Sequence, residues 1–325
     1  MPQRAMPQRK TQTTQVGDGI VAIDTQYMRP LLDASHLVLA DGQAAFVDTG
    51  TNFSVPLLLD ALRQQGRDPG DVDYLFLTHV HLDHAGGGGT LMRELPNATC
   101  VLHPRGAPHM ADPAKLVAGT NAVYGEQQAR EMYGEIVPID ADRIVVAEDE
   151  QWFEFGGRRV QTLHTEGHAR HHYCLYDPQS RGVFTGDSFG ISYRELDTKN
   201  GEFIYPTTTP PHFEPTAAHE AIDRILGLQP EKLYLTHYSR VDDVERLAVD
   251  MHDCIDGFVE IAERHRDADN RCEAIQGDMF EFLCGRLAEH GYQGDRDAIW
   301  SIVQFDVVLN SQGLDAWLNW LERNK

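Results

Sequence analysis

The chain is short of cysteine pairs, of long apolar runs and of positive charge, and each shortage removes a class of protein. Its five cysteines (Cys100, Cys174, Cys254, Cys272 and Cys284) are odd in number and form no CxxC pair. Neither a disulfide framework nor a thiolate metal site is therefore expected, and most of them read as small core residues in a reducing compartment. No stretch approaches the roughly 20 apolar residues that span a bilayer, so no membrane partner is expected. The opening MPQRAMPQRKTQTTQ has no apolar h-region. It is not read as a secretion signal; residues 1–16 are expected to be a disordered leader and the cytoplasm to be the location. Fifty acidic residues outweigh 28 Lys and Arg, for a formal net charge of −22. Non-specific nucleic-acid affinity comes largely from Lys and Arg displacing counterions, so no nucleic-acid partner is expected and a small-molecule substrate is.

A hydrophobic content of 41% is enough for a large core in a soluble globular chain. Strand signals fill the first half: GIVAIDTQY (19–27), SHLVLADG (35–42), QAAFVDTG (43–50), DYLFLTH (73–79) and ATCVLHP (98–104) are apolar or alternating runs closed by turn residues. Val55, Leu58, Leu59 and Leu62 fall at helical spacing before Gly66. Residues 107–136 break the rhythm and read as a helical insertion. Strands resume at 143–149, 152–165, 173–177 and 182–188. A long irregular stretch (191–214), a helix (215–228) and the strand KLYLTHY (232–238) follow. From 242 onward four apolar stripes at helical spacing succeed one another, the last two centred on Ile299–Val307 and Leu314–Leu321. The pattern predicts an α/β chain in an αββα four-layer arrangement. A domain over 17–240 carries the insertion, and a C-terminal helical extension covers 241–325. Trp317 and Trp320 on the last helix mark a candidate homodimer surface.

The strongest chemical signal is Thr78-His79-Val80-His81-Leu82-Asp83-His84. Four metal-competent side chains fall within six residues, after an apolar strand and before a glycine run. Imidazole and carboxylate are ligands of zinc, iron and manganese, and a strand-to-loop turn can aim His79 and His81 at one ion. His168 (in HTEGHARHH), Asp187 (in VFTGDSFG) and His237 (in YLTHY) each follow an apolar strand. They are expected on the same rim of the sheets.

On these residues the sequence resembles the metallo-β-lactamase superfamily, with FVDTG (46–50), THVHLDH (78–84), EGH (166–168), GD (186–187) and TH (236–237) matching its motifs in order. The resemblance implies two divalent metal ions. His79, His81 and His168 would bind the first, Asp83, His84 and His237 the second, and Asp187 would bridge both. Asp48 would orient ligands by hydrogen bonds. It further implies hydrolysis by a metal-bridging hydroxide with Asp83 orienting the nucleophile, on an ester, thioester or lactone. Zinc is placed narrowly ahead of iron, with manganese third.

Where the family motif reads TPGH, this chain has Thr165-Glu166-Gly167-His168, which keeps the ligand. His171 and His172 follow closely, and His172 is a candidate partner of the ligands. A Cys usually bridges in true β-lactamases, so Asp187 argues against antibiotic hydrolysis. Glyoxalase II-like thioesterases share the ligand set and end in helices. A di-iron oxygen- or NO-binding protein, or a quinolone-signal-response-like thioesterase, is the alternative, and a phosphodiesterase ranks below both on charge. Tyr193, Tyr205, His212 and Phe213 in the stretch 191–214 are candidate substrate contacts on a lid, as are Met110, Tyr124 and Tyr133 in the insertion.

Overall fold

The apolar and alternating runs of the first half become strands, and the computed structural model describes residues 10–324 of the chain. Two compact units divide within one strand, 1–160 and 161–325. In the first, β1 (Thr13–Gly17), β2 (Ile20–Asp24), β3 (Ala34–Leu39) and β4 (Ala44–Val47) run antiparallel in succession. β5 (Val72–Leu77), β6 (Thr99–Leu102) and β7 (Ile144–Val146) then continue the seven-stranded sheet in parallel. Parallel strands need crossover connections. These are α1 (Val55–Gln64), the pair α2 (Leu82–Ala85) and α3 (Gly88–Glu94), and the insertion helices α4 (Ala107–Ala111), α5 (Ala114–Tyr124) and α6 (Glu126–Tyr133). Val55, Leu58, Ala61 and Leu62 of α1 bury one face with Phe46, Leu75 and Leu77 of the sheet. At roughly 1.5–3 kcal/mol per buried aliphatic or Phe side chain, this contact is the backbone of the unit. Because β4, β5 and β6 are parallel neighbours, their C-terminal ends share one edge, where ligands of open α/β sheets bind.

The expected leader is shorter than its polar composition suggested. Thr13–Gly17 pairs with β2 and buries Val16, because the β-branched Thr13, Thr14 and Val16 favour extended backbone once a partner strand is present. Residues 1–9 lie outside the described residues.

After β8 (Trp152–Phe155), β9 (Arg158–His164) leads into β10 (Tyr173–Asp177), β11 (Gly182–Gly186), β12 (Lys232–Leu235) and β13 (Ser239–Val241), in the sheet order β13-β12-β11-β10-β9-β8. Only β11 and β12 are parallel among the pairs from β9 to β13, with the stretch 187–214 and α7 (Pro215–Gly227) between them. The helices α8 (Val244–Arg264), α9 (Arg271–Glu289) and α10 (Arg296–Arg323) pack on one another, and α7 packs on α8.

The last two stripes form one 28-residue helix rather than two. Asn310, Ser311 and Gly313 resemble a break, yet each has a partner in the fold. The Asn310 Oδ1 accepts from the Thr208 amide at 2.7 Å, its Nδ2 donates to the Pro206 carbonyl at 3.0 Å, and its own carbonyl accepts from the Thr208 hydroxyl at 2.9 Å. At Gly313 an added Cβ would lie 1.5 Å from the Thr208 carbonyl oxygen. Polar and small residues here seat residues 206–210 as a strap against the helix.

Candidate metal centre

In the first unit the motif residues sit where β4 and β5 end. Asp48 is buried and held at φ 57°, a left-handed conformation that Asp tolerates better than most residues. From there its carboxylate accepts the Thr78 amide at 2.8 Å, the Thr78 hydroxyl at 2.8 Å and His84 Nδ1 at 2.9 Å. The His84 carbonyl accepts from the Thr49 amide at 2.7 Å and the Thr49 hydroxyl at 2.8 Å. Since the Thr78 hydroxyl proton is directed to Asp48, His79 Nδ1, 3.2 Å from that oxygen, is the donor between them. In both histidines the proton lies on Nδ1 and the lone pair on Nε2, the tautomer of a ligating imidazole oriented by an outer partner. The His79 ring lies 4.5 Å from that of His81 and 4.1 Å from that of His84, and Asp83 and His84 offer ligand atoms within 4.8 Å of each other. The role of Thr78 was not singled out from sequence, although its place directly before the first histidine is the signal that could have found it.

His36, on β3, was also overlooked. Burial lowers its pKa to about 4 against a raising contribution from Asp48. A histidine whose folded-state pKa lies below the unfolded value of about 6.5 is protonated first in the unfolded chain. Stability is therefore lost as pH falls from about 6.5 toward about 4, by roughly 3 kcal/mol in all. Thermal melts of His36→Gln and the parent chain across that interval should show a shallower decline for the variant; parallel declines would refute the assignment.

In the second unit His168, Asp187 and His237 follow β9, β11 and β12. Gly167, at φ 127°, admits the start of α7, since a Cβ there would lie 2.5 Å from the Ala218 backbone. His168 Nδ1 lies 3.3 Å from the Thr207 carbonyl, which directs its proton there and leaves Nε2 as the lone-pair nitrogen. That nitrogen faces Asp187 Oδ2 at 3.4 Å, and His237 Nε2 faces Asp187 Oδ1 at 3.5 Å. All three side chains are buried. Two bonds of about 2.0–2.2 Å at a tetrahedral ion separate their ligand atoms by roughly 3.3–3.5 Å, so each carboxylate oxygen is spaced from one imidazole as co-ligands are. The imidazole and carboxylate donors of both units thus fit divalent zinc, iron or manganese. His172 accepts the Asp187 amide on Nε2 at 3.2 Å, and its Nδ1 meets Thr165 Oγ1 at 2.9 Å and Ser188 Oγ at 3.0 Å. It positions the backbone that carries Asp187.

In the stretch 191–214, expected to be a lid or a plain surface loop, the two candidate substrate tyrosines are instead seated against the C-terminal helix. Tyr193 and Tyr205 are fully buried and donate their hydroxyls to Asp306 of α10, at 3.3 and 2.9 Å. A long irregular stretch can be seated this deeply because the helix supplies polar acceptors. Phe213 is buried as well, and His212 lies with its ring 6.0 Å from that of His171.

In the insertion, Met110 belongs to the core. Tyr133 instead lines a cleft of about 320 Å³ whose wall includes Leu82 of the motif, Val117, Thr120, Ala129 and Arg130. The Tyr27 and Tyr133 hydroxyls are 3.1 Å apart, and the Tyr124 ring lies 6.2 Å from that of Tyr133. Burial first, and then the charge of Asp83, hold the Tyr133 hydroxyl far above the ordinary phenol range.

Among the described residues no helix is long and apolar enough to cross a membrane. The family model of the metallo-beta-lactamase superfamily matches residues 29–237. A metallo-beta-lactamase fold-containing protein of Sulfurisphaera tokodaii is 29% identical over 175 residues, 51% of this chain and 60% of that one. A hydroxyacylglutathione hydrolase of a Synechococcus strain is 29% identical over 132 residues, 40% of this chain and 39% of that one. This chain therefore spans from about two fifths to three fifths of the length of these two relatives. The crystal structure of a metallo-beta-lactamase family protein from Thermus thermophilus superposes with a TM-score of 0.66 at 19% identity, covering 94% of each chain. The fold is the two-sheet α/β fold of that family, with helices at the C-terminal end, and the chain belongs to the metallo-beta-lactamase superfamily.

Proposed function

We propose that the chain is a binuclear metal-dependent hydrolase of a carboxylic ester, thioester or lactone. His79, His81 and His168 would hold one ion, Asp83, His84 and His237 the other, with Asp187 shared between them. The observation that carries this reading is the Asp187 carboxylate, each of whose oxygens faces a different imidazole nitrogen at ligand-to-ligand distance. When bound, such a pair of ions acidifies a water from a pKa of 15.7 toward about 7 and stabilises developing negative charge on oxygen.

The protein's own contribution is positional. Asp48 and Thr78 hold His84 and His79 in one tautomer, and His172 fixes the Asp187 backbone. Asp83, partly exposed in the first turn of α2, would orient the attacking water. The adjoining cleft, with apolar walls from Leu82 and Val117 and polar groups at Thr120 and Arg130, would receive the organic part of the substrate. The hydrolase activity in the name of the Synechococcus relative supports the reaction class, and the net charge of −22 disfavours a polyanionic substrate.

Elemental analysis of protein expressed without added metal, followed by thioester, lactone, ester and phosphodiester substrates, tests the reading. Two divalent ions per chain with acyl-ester or thioester turnover are expected. Two irons with a spectrum that responds to oxygen and no hydrolysis would overturn it in favour of an oxygen-binding protein.

A further inference from the structure

Away from the motif residues, α7 and α8 carry a second organised set of titratable side chains. His219 and Asp223 are four residues apart on α7, and His252 and Asp256 are four apart on α8, so each pair shares a helix face. The pairs interlock. His219 Nε2 lies 3.2 Å from Asp256 Oδ1, His252 Nε2 lies 3.3 Å from Asp223 Oδ1, and the two Nδ1 atoms are 2.6 Å apart. The ring planes are within 7° of parallel with centres 4.9 Å apart. The nitrogens are thus far closer than the ring centres, and the two Nδ1 edges point at each other. The chain Asp256–His219–His252–Asp223 crosses between the helices at every link.

At 2.6 Å the two Nδ1 atoms share one hydrogen bond, one ring donating to the lone pair of the other, while each Nε2 has a carboxylate 3.2–3.3 Å behind it. A divalent ion in place of that one proton would take the lone pairs of both Nδ1 atoms, each ring then carrying its own proton on Nε2 toward its carboxylate. An imidazole whose outer nitrogen donates to a carboxylate while its inner nitrogen is left as an electron pair is the carboxylate–histidine–metal arrangement. We propose that His219 and His252 form a second metal site, independent of the motif histidines, that binds a borderline divalent ion such as Zn²⁺ through the two Nδ1 atoms. Asp223 and Asp256 orient the rings, and water completes the shell. Tetrahedral binding with Zn–N bonds of about 2.0–2.1 Å sets the nitrogens roughly 3.3 Å apart, so the rings must part by about 0.7 Å. Both imidazoles are 27–28% exposed and both carboxylates 70–71% exposed. Side-chain rotation supplies that movement without shifting a helix, and the ion has an open path of entry.

The test is a Zn²⁺ titration of the full chain, read by calorimetry and by native mass spectrometry. The parent chain should take up one equivalent more than the double variant His219→Asn/His252→Asn, and Asp187→Ala should retain that extra equivalent. Asp223→Asn, which leaves both ligands in place, should weaken this binding event by about 10-fold or more. It also serves as the decisive variant if the double variant does not fold. Equal uptake by a folded double variant, or unchanged affinity in Asp223→Asn, would overturn the proposal and leave a shared proton as the link between the rings.

Discussion

Asp187→Ala is expected to lower the metal content of the proposed centre from two ions per chain to one or fewer and to reduce kcat/KM by about three orders of magnitude or more. That factor is roughly 4 kcal/mol of transition-state stabilisation. The reason is geometric. One carboxylate faces His168 through Oδ2 and His237 through Oδ1, so its removal takes a ligand from both proposed ions, whereas loss of a single histidine takes one from one. The fold should survive, because the backbone at 187 is held through its amide by His172 and the neighbouring Ser188 hydroxyl is bonded to Thr165. Elemental analysis beside a far-UV spectrum separates the two effects. A folded variant that keeps two ions would sink the shared-carboxylate assignment.

The second large effect is expected far from any histidine in sequence. Gly313→Ala places a Cβ 1.5 Å from the Thr208 carbonyl oxygen, a backbone atom that no side-chain rotation can move aside. Overpacking of this kind costs about 1–3 kcal/mol, and the upper end is expected here. Displacing Thr208 also disturbs its two hydrogen bonds to Asn310. At about 2–4 °C per kcal/mol for a unit of this size, the melting temperature should fall by roughly 6–12 °C. Thr207, one residue earlier, holds His168 Nδ1, so apparent metal affinity should fall along with stability. A variant melting within a degree or two of the parent would show that the strap yields freely.

The ligand-type residues were legible because their chemistry is concentrated. His79, His81, Asp83 and His84 stand within six positions, and His168, Asp187 and His237 each close an apolar run, so residue type and strand pattern point the same way. The parallel half of the first sheet was legible for a similar reason, since AAFV and the LFL of β5 are continuous apolar runs of doubly buried strands. What failed were readings that needed the partner of a side chain. Tyr193 and Tyr205 look like substrate contacts in a proline-rich stretch until Asp306, about a hundred residues later, accepts both hydroxyls. Asn310 and Gly313 look like a helix break until the strap they hold is known. His219 and His252 are 33 residues apart in unremarkable helices, and no spacing rule joins them.

Asp306, Asn310 and Gly313 recur at intervals of four and three, so the buried face of the terminal helix sets polar and small residues that seat inner chain segments among its apolar ones. Cutting the chain before residue 296 would remove the Asp306 carboxylate that accepts two buried phenolic hydroxyls and the Asn310 oxygen that accepts a threonine amide. Anyone trimming this chain for crystallisation, or fusing a partner in place of that helix, should expect insoluble material rather than a smaller folded protein.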